Sequence, residues 1–224
     1  MMVDETRVNM TDSVRDSGLK SVVQDYFENC LARHGATAKG VDWRDEDAQN
    51  LRFHEISKIF IERAQVTKDF SLVDFGCGFG SYLDYLRTNG IECSYTGIDG
   101  TQSMIDAAQE KHKNQSKCRF LHQWQMNEVT DYTVVSGTFN YKGETEQSTW
   151  QEFVLASLDN INKFSSKGFS FNLLTSYSDK EKMVPHLYYA PASFYFDYCK
   201  SNYSRNVALL HDYEAYEFTI LVRK

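Results

Sequence analysis

The chain has 224 residues, 42% of them hydrophobic and 14% aromatic, with two prolines and a formal net charge of −7. That length and composition suit one domain with a full core and exclude a disordered or low-complexity protein. A net acidic chain without a basic stripe argues against a nucleic-acid partner, and the lack of an apolar run long enough to span a bilayer argues against a membrane one.

Residues 1–16 are polar and acidic, without the apolar core of a secretory signal. The five cysteines, Cys30, Cys77, Cys93, Cys118 and Cys199, form no C-x-x-C pair. Reduced cytoplasmic thiols are therefore expected, with neither a disulfide frame nor a metal site. Residues 18–65 read as mainly helical, because Val22, Val23, Tyr26, Phe27, Cys30 and Leu31 recur at helical spacing, as do Leu51, Phe53, Ile56, Ile59 and Phe60. A glycine-punctuated loop from His34 to Trp43 separates the two runs. Residues 1–65 are read as an N-terminal helical extension and 66–224 as the core.

The core opens on the most informative stretch. Phe70, Leu72, Val73 and Phe75 form an apolar run that breaks into Gly76, Gly78 and Gly80, and Tyr82, Leu83 and Leu86 then lie on one side of a helix. Strand, tight glycine turn and helix in that order place a nucleotide-like ligand at the strand's carboxyl end, where the backbone needs positive φ and the helix start offers free N–H groups. The turn is G-x-G-x-G, with Ser81 where a dinucleotide fingerprint would have its last glycine, and Asp74 lies inside the strand. A carboxylate there repels a pyrophosphate and suits a cation. A second strand, Tyr95 to Ile98, closes on Asp99-Gly100, and an acidic residue at that place can accept both ribose hydroxyls.

Asp74, the Gly76/Gly78/Gly80 turn and Asp99 together resemble the glycine motif and following acidic motif of class I S-adenosylmethionine-dependent methyltransferases. The resemblance implies S-adenosyl-L-methionine as cofactor, with S-adenosyl-L-homocysteine as product. It also implies a doubly wound α/β fold with a seven-stranded, mostly parallel sheet in the order 3-2-1-4-5-7-6, its last strand antiparallel. The remaining elements fit: a helix from Gln102 to Lys111, strands at Cys118–His122 and Asp131–Ser136, a helix from Glu146 to Phe164 and a strand from Gly168 to Thr175. A long connection, Tyr177 to Ala190, leads to a helix from Pro191 to Tyr203 and to two closing strands, Asn206–His211 and Glu217–Val222, whose short link demands an antiparallel pair.

By the same resemblance Phe75, Cys77, Gly100 and Ser136 join the cofactor rim, with Cys77 as a spacer, and Gln123 stands where the family prefers an aspartate on the adenine amino group. Trp124 either stacks on adenine or fills core. Arg52 resembles a residue of small-molecule methyltransferases with a helical cap, where it would pair with the methionyl carboxylate; an ordinary salt bridge is the alternative. Asn140 contacts substrate or serves a turn, and the prolines of the amide- and adenine-methylating motif are missing beside it. Tyr177, Tyr188 and Tyr189 are candidates to line an acceptor pocket, since a tyrosine ring packs while its hydroxyl bonds a polar substrate. His186 and His211 are candidate general bases for a hydroxyl acceptor, or else hydrogen-bonded structural histidines. The expected reaction is O- or N-methylation of a polar small molecule such as a sugar, metabolite or natural-product intermediate. A non-catalytic binding module and a protein methyltransferase are the alternatives, and the oligomeric state is left open.

Overall fold

The computed structural model describes residues 5–61 and 69–224, with side chains from residue 18 onward. The expected boundary at 65/66 lies outside the described residues. The elements run α1 (Glu5–His34), a 3-10 turn (Ala38–Val41), α2 (Glu46–Ile61), β1 (Ser71–Phe75), α3 (Ser81–Thr88), β2 (Ser94–Asp99), α4 (Gln102–His112) and β3 (Cys118–His122). They continue with β4 (Thr130–Val135), α5 (Gln147–Phe164), β5 (Ser165–Thr175), a 3-10 turn (Lys180–Lys182), β6 (Tyr189–Ala190), α6 (Ala192–Asn202), β7 (Asn206–Leu210) and β8 (Glu217–Arg223).

The sheet order is β3-β2-β1-β4-β5-β8-β7, which is the expected order once the two-residue β6 is set aside. Strand β8 is antiparallel to both β5 and β7, while the pairs from β3 to β5 are parallel. Strand β6 pairs with the end of β5 at Leu174 and Thr175, past the last β4 pairing at Phe171. Two residues carry no periodicity, so the sequence alone places β6 inside a connection.

Alternation along each strand sends side chains to two cores. Val73, Phe75, Val135, Phe169, Phe171, Phe218 and Ile220 meet Trp150, Val154 and Leu158 of α5 and Tyr195 of α6. Leu72, Tyr95, Val134 and Leu221 meet Phe53, Ile56 and Ile59 of α2 and Leu83 of α3 on the other face. Helix α2 is thus a layer of the core, packed over β4, β5 and β8. Burial of both faces is what makes these strands read as nearly continuous apolar runs.

Neighbouring strands β1 and β4 continue in opposite directions across the sheet, so their carboxyl ends diverge and leave a crevice. The loops after β1, β2, β3 and β4 rim that crevice, and α1 and the turn before α2 cover it.

Candidate active site

A cavity of about 440 Å³ occupies the crevice. One half lies over β1, β2 and β3. Its floor is the turn after β1, where Gly76, Gly78 and Gly80 have φ of 77°, 52° and 80°, so each requires glycine. Gly76 N–H and Cys77 N–H both donate to the Ile98 carbonyl, at 2.8 and 3.1 Å, which locks the turn to β2. Asp99 accepts from Gly78 N–H at 2.9 Å and from Thr101 N–H at 2.8 Å.

Asp74 points to the same face as Leu72, is buried, and accepts one hydrogen bond of 2.6 Å from the Tyr95 hydroxyl. Burial pushes its carboxyl up to about 7, against the Tyr95 hydrogen bond and with the Asp99 charge adding to the rise. Burial also raises Asp99, with the Thr101 and Gly78 hydrogen bonds opposing. A cation in the cavity beside these carboxylates would favour their ionised forms.

The other half lies over β4, β5 and β8. Gly137, at φ 72°, lets the Trp43 ring lie against its backbone; a Cβ there would stand 2.6 Å from the ring. Arg52 stacks over the Trp43 ring, 4.6 Å from the centroid. Its Nε donates to Glu217 at 2.9 Å and its Nη1 to the Ala48 carbonyl at 2.6 Å. Glu217 is 1% exposed and also accepts from the Asn172 amide at 2.9 Å and, at 3.4 Å, from the Asn140 amide. Burial raises its carboxyl and the Arg52 charge opposes that. Ser136 Oγ is out of solvent and without a hydrogen-bond partner.

Helix α1 covers the cavity with Val23 and Phe27. It is tied down by Gln24, whose amide donates to the Gly100 carbonyl at 2.5 Å, and by Lys20, 5.7 Å above the Trp124 ring. Tyr26 stacks on Tyr141 at 3.7 Å and donates to Asp42 at 2.8 Å.

Most of the residues expected at the site meet here. Asp74, Phe75, Gly76, Cys77, Gly78, Asp99, Gly100, Gln123, Trp124, Ser136, Arg52 and Asn140 all line the cavity. Gly80 shapes the turn from below, against the His112 ring. The Cys77 thiol is buried and pushed up by that burial, which fits a spacer. Arg52 is only 13% exposed at its side chain, so its ion pair is internal and not the ordinary surface bridge of the alternative reading.

His186, His211, Tyr177, Tyr188 and Tyr189 do not line the cavity. His186 is exposed beside Tyr141, and His211 is exposed, 5.9 Å from Tyr177. Tyr177 is 74% exposed. Tyr188 is buried against Tyr195, hydroxyl to hydroxyl at 2.9 Å, and the Tyr189 hydroxyl accepts from Val184 N–H. The connection bearing His186 and the three tyrosines pairs through β6 with the end of β5 and sends Leu187 alone to the cavity, while His211 directly follows β7. Sequence reasoning missed Glu217, Asn172 and Tyr95. A glutamate and an asparagine inside strands otherwise apolar were the available signal.

Residues 73–160 match the family model described as "Methyltransferase domain". A Mycobacterium tuberculosis (strain ATCC 25618 / H37Rv) protein named "Putative methyltransferase Rv1506c" is 47% identical over 155 residues, covering 69% of this chain and 93% of that protein. The chain belongs to the class I S-adenosylmethionine-dependent methyltransferases. A more distant relative of this methyltransferase is the malonyl-[acyl-carrier protein] O-methyltransferase of Bacillus cereus, 27% identical over 128 residues. The match takes in 56% of this chain and about half, 48%, of that relative's length.

The fold agrees with solved structures. An N-methyltransferase NodS from Bradyrhizobium japonicum WM9 in complex with S-adenosyl-l-homocysteine superposes with a TM-score of 0.61 at 14% identity, over 90% of this chain and 98% of the other. The DhpI–SAH complex gives 0.61 at 13%, over 92% and 97%. The cofactor is S-adenosylmethionine, and the residues fit it: a glycine cradle, the buried Asp74 carboxyl suited to a cation, Asp99, and an orphaned Ser136 hydroxyl face one cavity.

Proposed function

We propose that this methyltransferase acts on a polar small-molecule acceptor, a sugar, metabolite or natural-product intermediate, at oxygen or nitrogen. One observation carries the reading: the polar group of Arg52, Asn140 and Glu217 lies inside the same covered cavity as Asp74 and Asp99, beneath α1. A covered chamber of about 440 Å³ suits a small acceptor beside the cofactor, whereas a macromolecular acceptor calls for an open groove.

In this reading Asp74, Phe75, Gly76, Cys77, Gly78 and Gly80 cradle the aminoacyl and ribose parts, Asp99 and Gly100 take the ribose hydroxyls, and Gln123 and Trp124 flank adenine. Ser136 and Arg52 complete the aminoacyl end, with Arg52 offering the guanidinium edge not used on Glu217 or Ala48. Of the N-terminal extension, α1 and the Trp43 loop act as the cap, while α2 serves the core. When bound, S-adenosylmethionine supplies a methyl already activated on a sulfonium. The protein then has to exclude water, which Phe27 and Trp43 do, and hold the acceptor in line, a positioning effect of roughly 7–11 kcal/mol at most. The exposed His186 and His211 leave Asn140 and Glu217 as the groups nearest to an acceptor.

The relatives' names include both O- and N-methylation, and the proposal keeps both. A cytoplasmic location is part of it, supported by five free cysteines; among the described residues no helix is long and apolar enough to cross a membrane. The test is a labelled-methyl assay with a cell extract split by size. Label in the small-molecule fraction is expected; label confined to protein or nucleic acid would contradict the reading.

A further inference from the structure

The cavity is charged unevenly. Asp42, Asp74, Asp99, Glu214 and Glu217 line it, against Arg44 and Arg52. Both arginines are engaged, Arg44 with Asp45 at 2.6 Å and Arg52 with Glu217 at 2.9 Å. Asp74 and Asp99 belong to the cofactor half. In the acceptor half Glu217 is the buried carboxylate, at the first residue of β8 and on the same sheet face as Asp74.

Glu217 is held from three sides. Arg52 of α2 and Asn172 of β5 both donate to Oε2, at 2.9 Å each, and Oε1 has only the 3.4 Å contact with Asn140. Asn140 is itself fixed, its side-chain oxygen accepting from Leu174 N–H at 3.1 Å. Tyr213 and Glu214 are the other ionisable groups near it, from the turn between β7 and β8. One carboxylate oxygen is thus anchored and the other keeps acceptor capacity at the cavity wall. An anionic acceptor would meet that oxygen as a like charge, and the two cavity-lining cations among the described residues are already ion-paired, Arg44 with Asp45 and Arg52 with Glu217 itself.

We infer that Glu217 is a catalytic residue that takes the hydrogen bond, and then the proton, of an uncharged alcohol or an amine acceptor, and that carboxylate and phosphate acceptors are rejected. The inference rests on the small-molecule reading above. In the step, the acceptor oxygen or nitrogen forms its bond to the methyl carbon while the carbon–sulfur bond breaks and its electron pair stays on sulfur. The acceptor's proton passes to Glu217 Oε1 and leaves to solvent with product. Arg52 and Asn172 are positioning residues for that carboxylate. Burial, which raises the Glu217 carboxyl, makes it a stronger proton acceptor than an exposed glutamate.

The test uses the full chain with tritium-methyl-labelled S-adenosylmethionine and the small-molecule filtrate of a bacterial lysate. Labelled product is passed over anion and cation exchangers. Product that flows through or binds the cation exchanger is expected, and product held by the anion exchanger overturns the inference. Glu217→Gln should lower turnover of that product about 100-fold and remove the acidic limb of the pH profile, while S-adenosylhomocysteine affinity stays near wild type. Glu217→Asp should restore part of the rate. Wild-type turnover in Glu217→Gln, or a loss of rate matched by a loss of S-adenosylhomocysteine binding in both variants, overturns the catalytic role. Label only in macromolecules overturns the small-molecule reading itself, and this inference with it.

Discussion

Asp74 joins cofactor affinity to pH. Its carboxyl is raised to about 7 in the folded chain, chiefly by burial, so the native state holds this proton more tightly than the unfolded state does. Ionisation therefore weighs against the fold, and this group's contribution to stability falls as pH rises from the ordinary carboxylate range through about 7. Asp74→Asn should raise the stability of the ligand-free protein at pH 8 by roughly 1–3 kcal/mol in urea unfolding, while weakening S-adenosylmethionine binding. A variant no more stable than wild type at pH 8 would contradict the assignment. In the wild type, affinity for the cationic cofactor should increase between pH 6 and 8, with proton release on binding, as calorimetry in two buffers of different ionisation enthalpy can show. Gly80 makes a second case at this scale. Its φ is 80°, and a Cβ added there would stand only 2.8 Å from His112 Nε2. Gly80→Ala should therefore cost about 1–3 kcal/mol, read from the urea midpoint.

The turn between β1 and α3 was readable because all of its chemistry is local. Asp74, three glycines and an amphipathic helix start lie within residues 74–86, so neighbouring residues alone specify it. The closing pair β7 and β8 was readable for a related reason, a short link between two apolar runs. The acceptor half of the site is different, because Arg52 and Glu217 are 165 residues apart and meet only after α2 lies across β5 and β8. Nothing local to Glu217 announces the partner that makes its burial tolerable. The same holds for Tyr188, whose hydroxyl faces Tyr195 from the core and not the cavity. At this scale the Trp43 loop is the part of the cap open to test: the ring contacts both Gly137 and the Arg52 guanidinium. Trp43→Ala should weaken S-adenosylhomocysteine binding about tenfold or more, the equivalent of ~1.4 kcal/mol, with little change in the urea midpoint. An unchanged affinity would mean that the loop covers no ligand.

At the scale of the whole molecule, Asp74 and Asp99 line the crevice where the two halves of the sheet diverge. The carbonyl-locked glycine turn, Asp74 and Asp99 define one half of the crevice, and α1 and α2 both contribute to its wall. Ligand binding there should stabilise the entire fold, since α2 belongs both to the core and to the cavity wall: at ~100 times the dissociation constant the gain is about 2.7 kcal/mol. The decisive measurement is paired isothermal titration of the same protein with S-adenosylhomocysteine and with NADH. A saturable heat with the former and none with the latter is expected, because a pyrophosphate would sit against the Asp74 carboxylate. Saturable NADH uptake with no S-adenosylhomocysteine heat would contradict the electrostatic basis of the site.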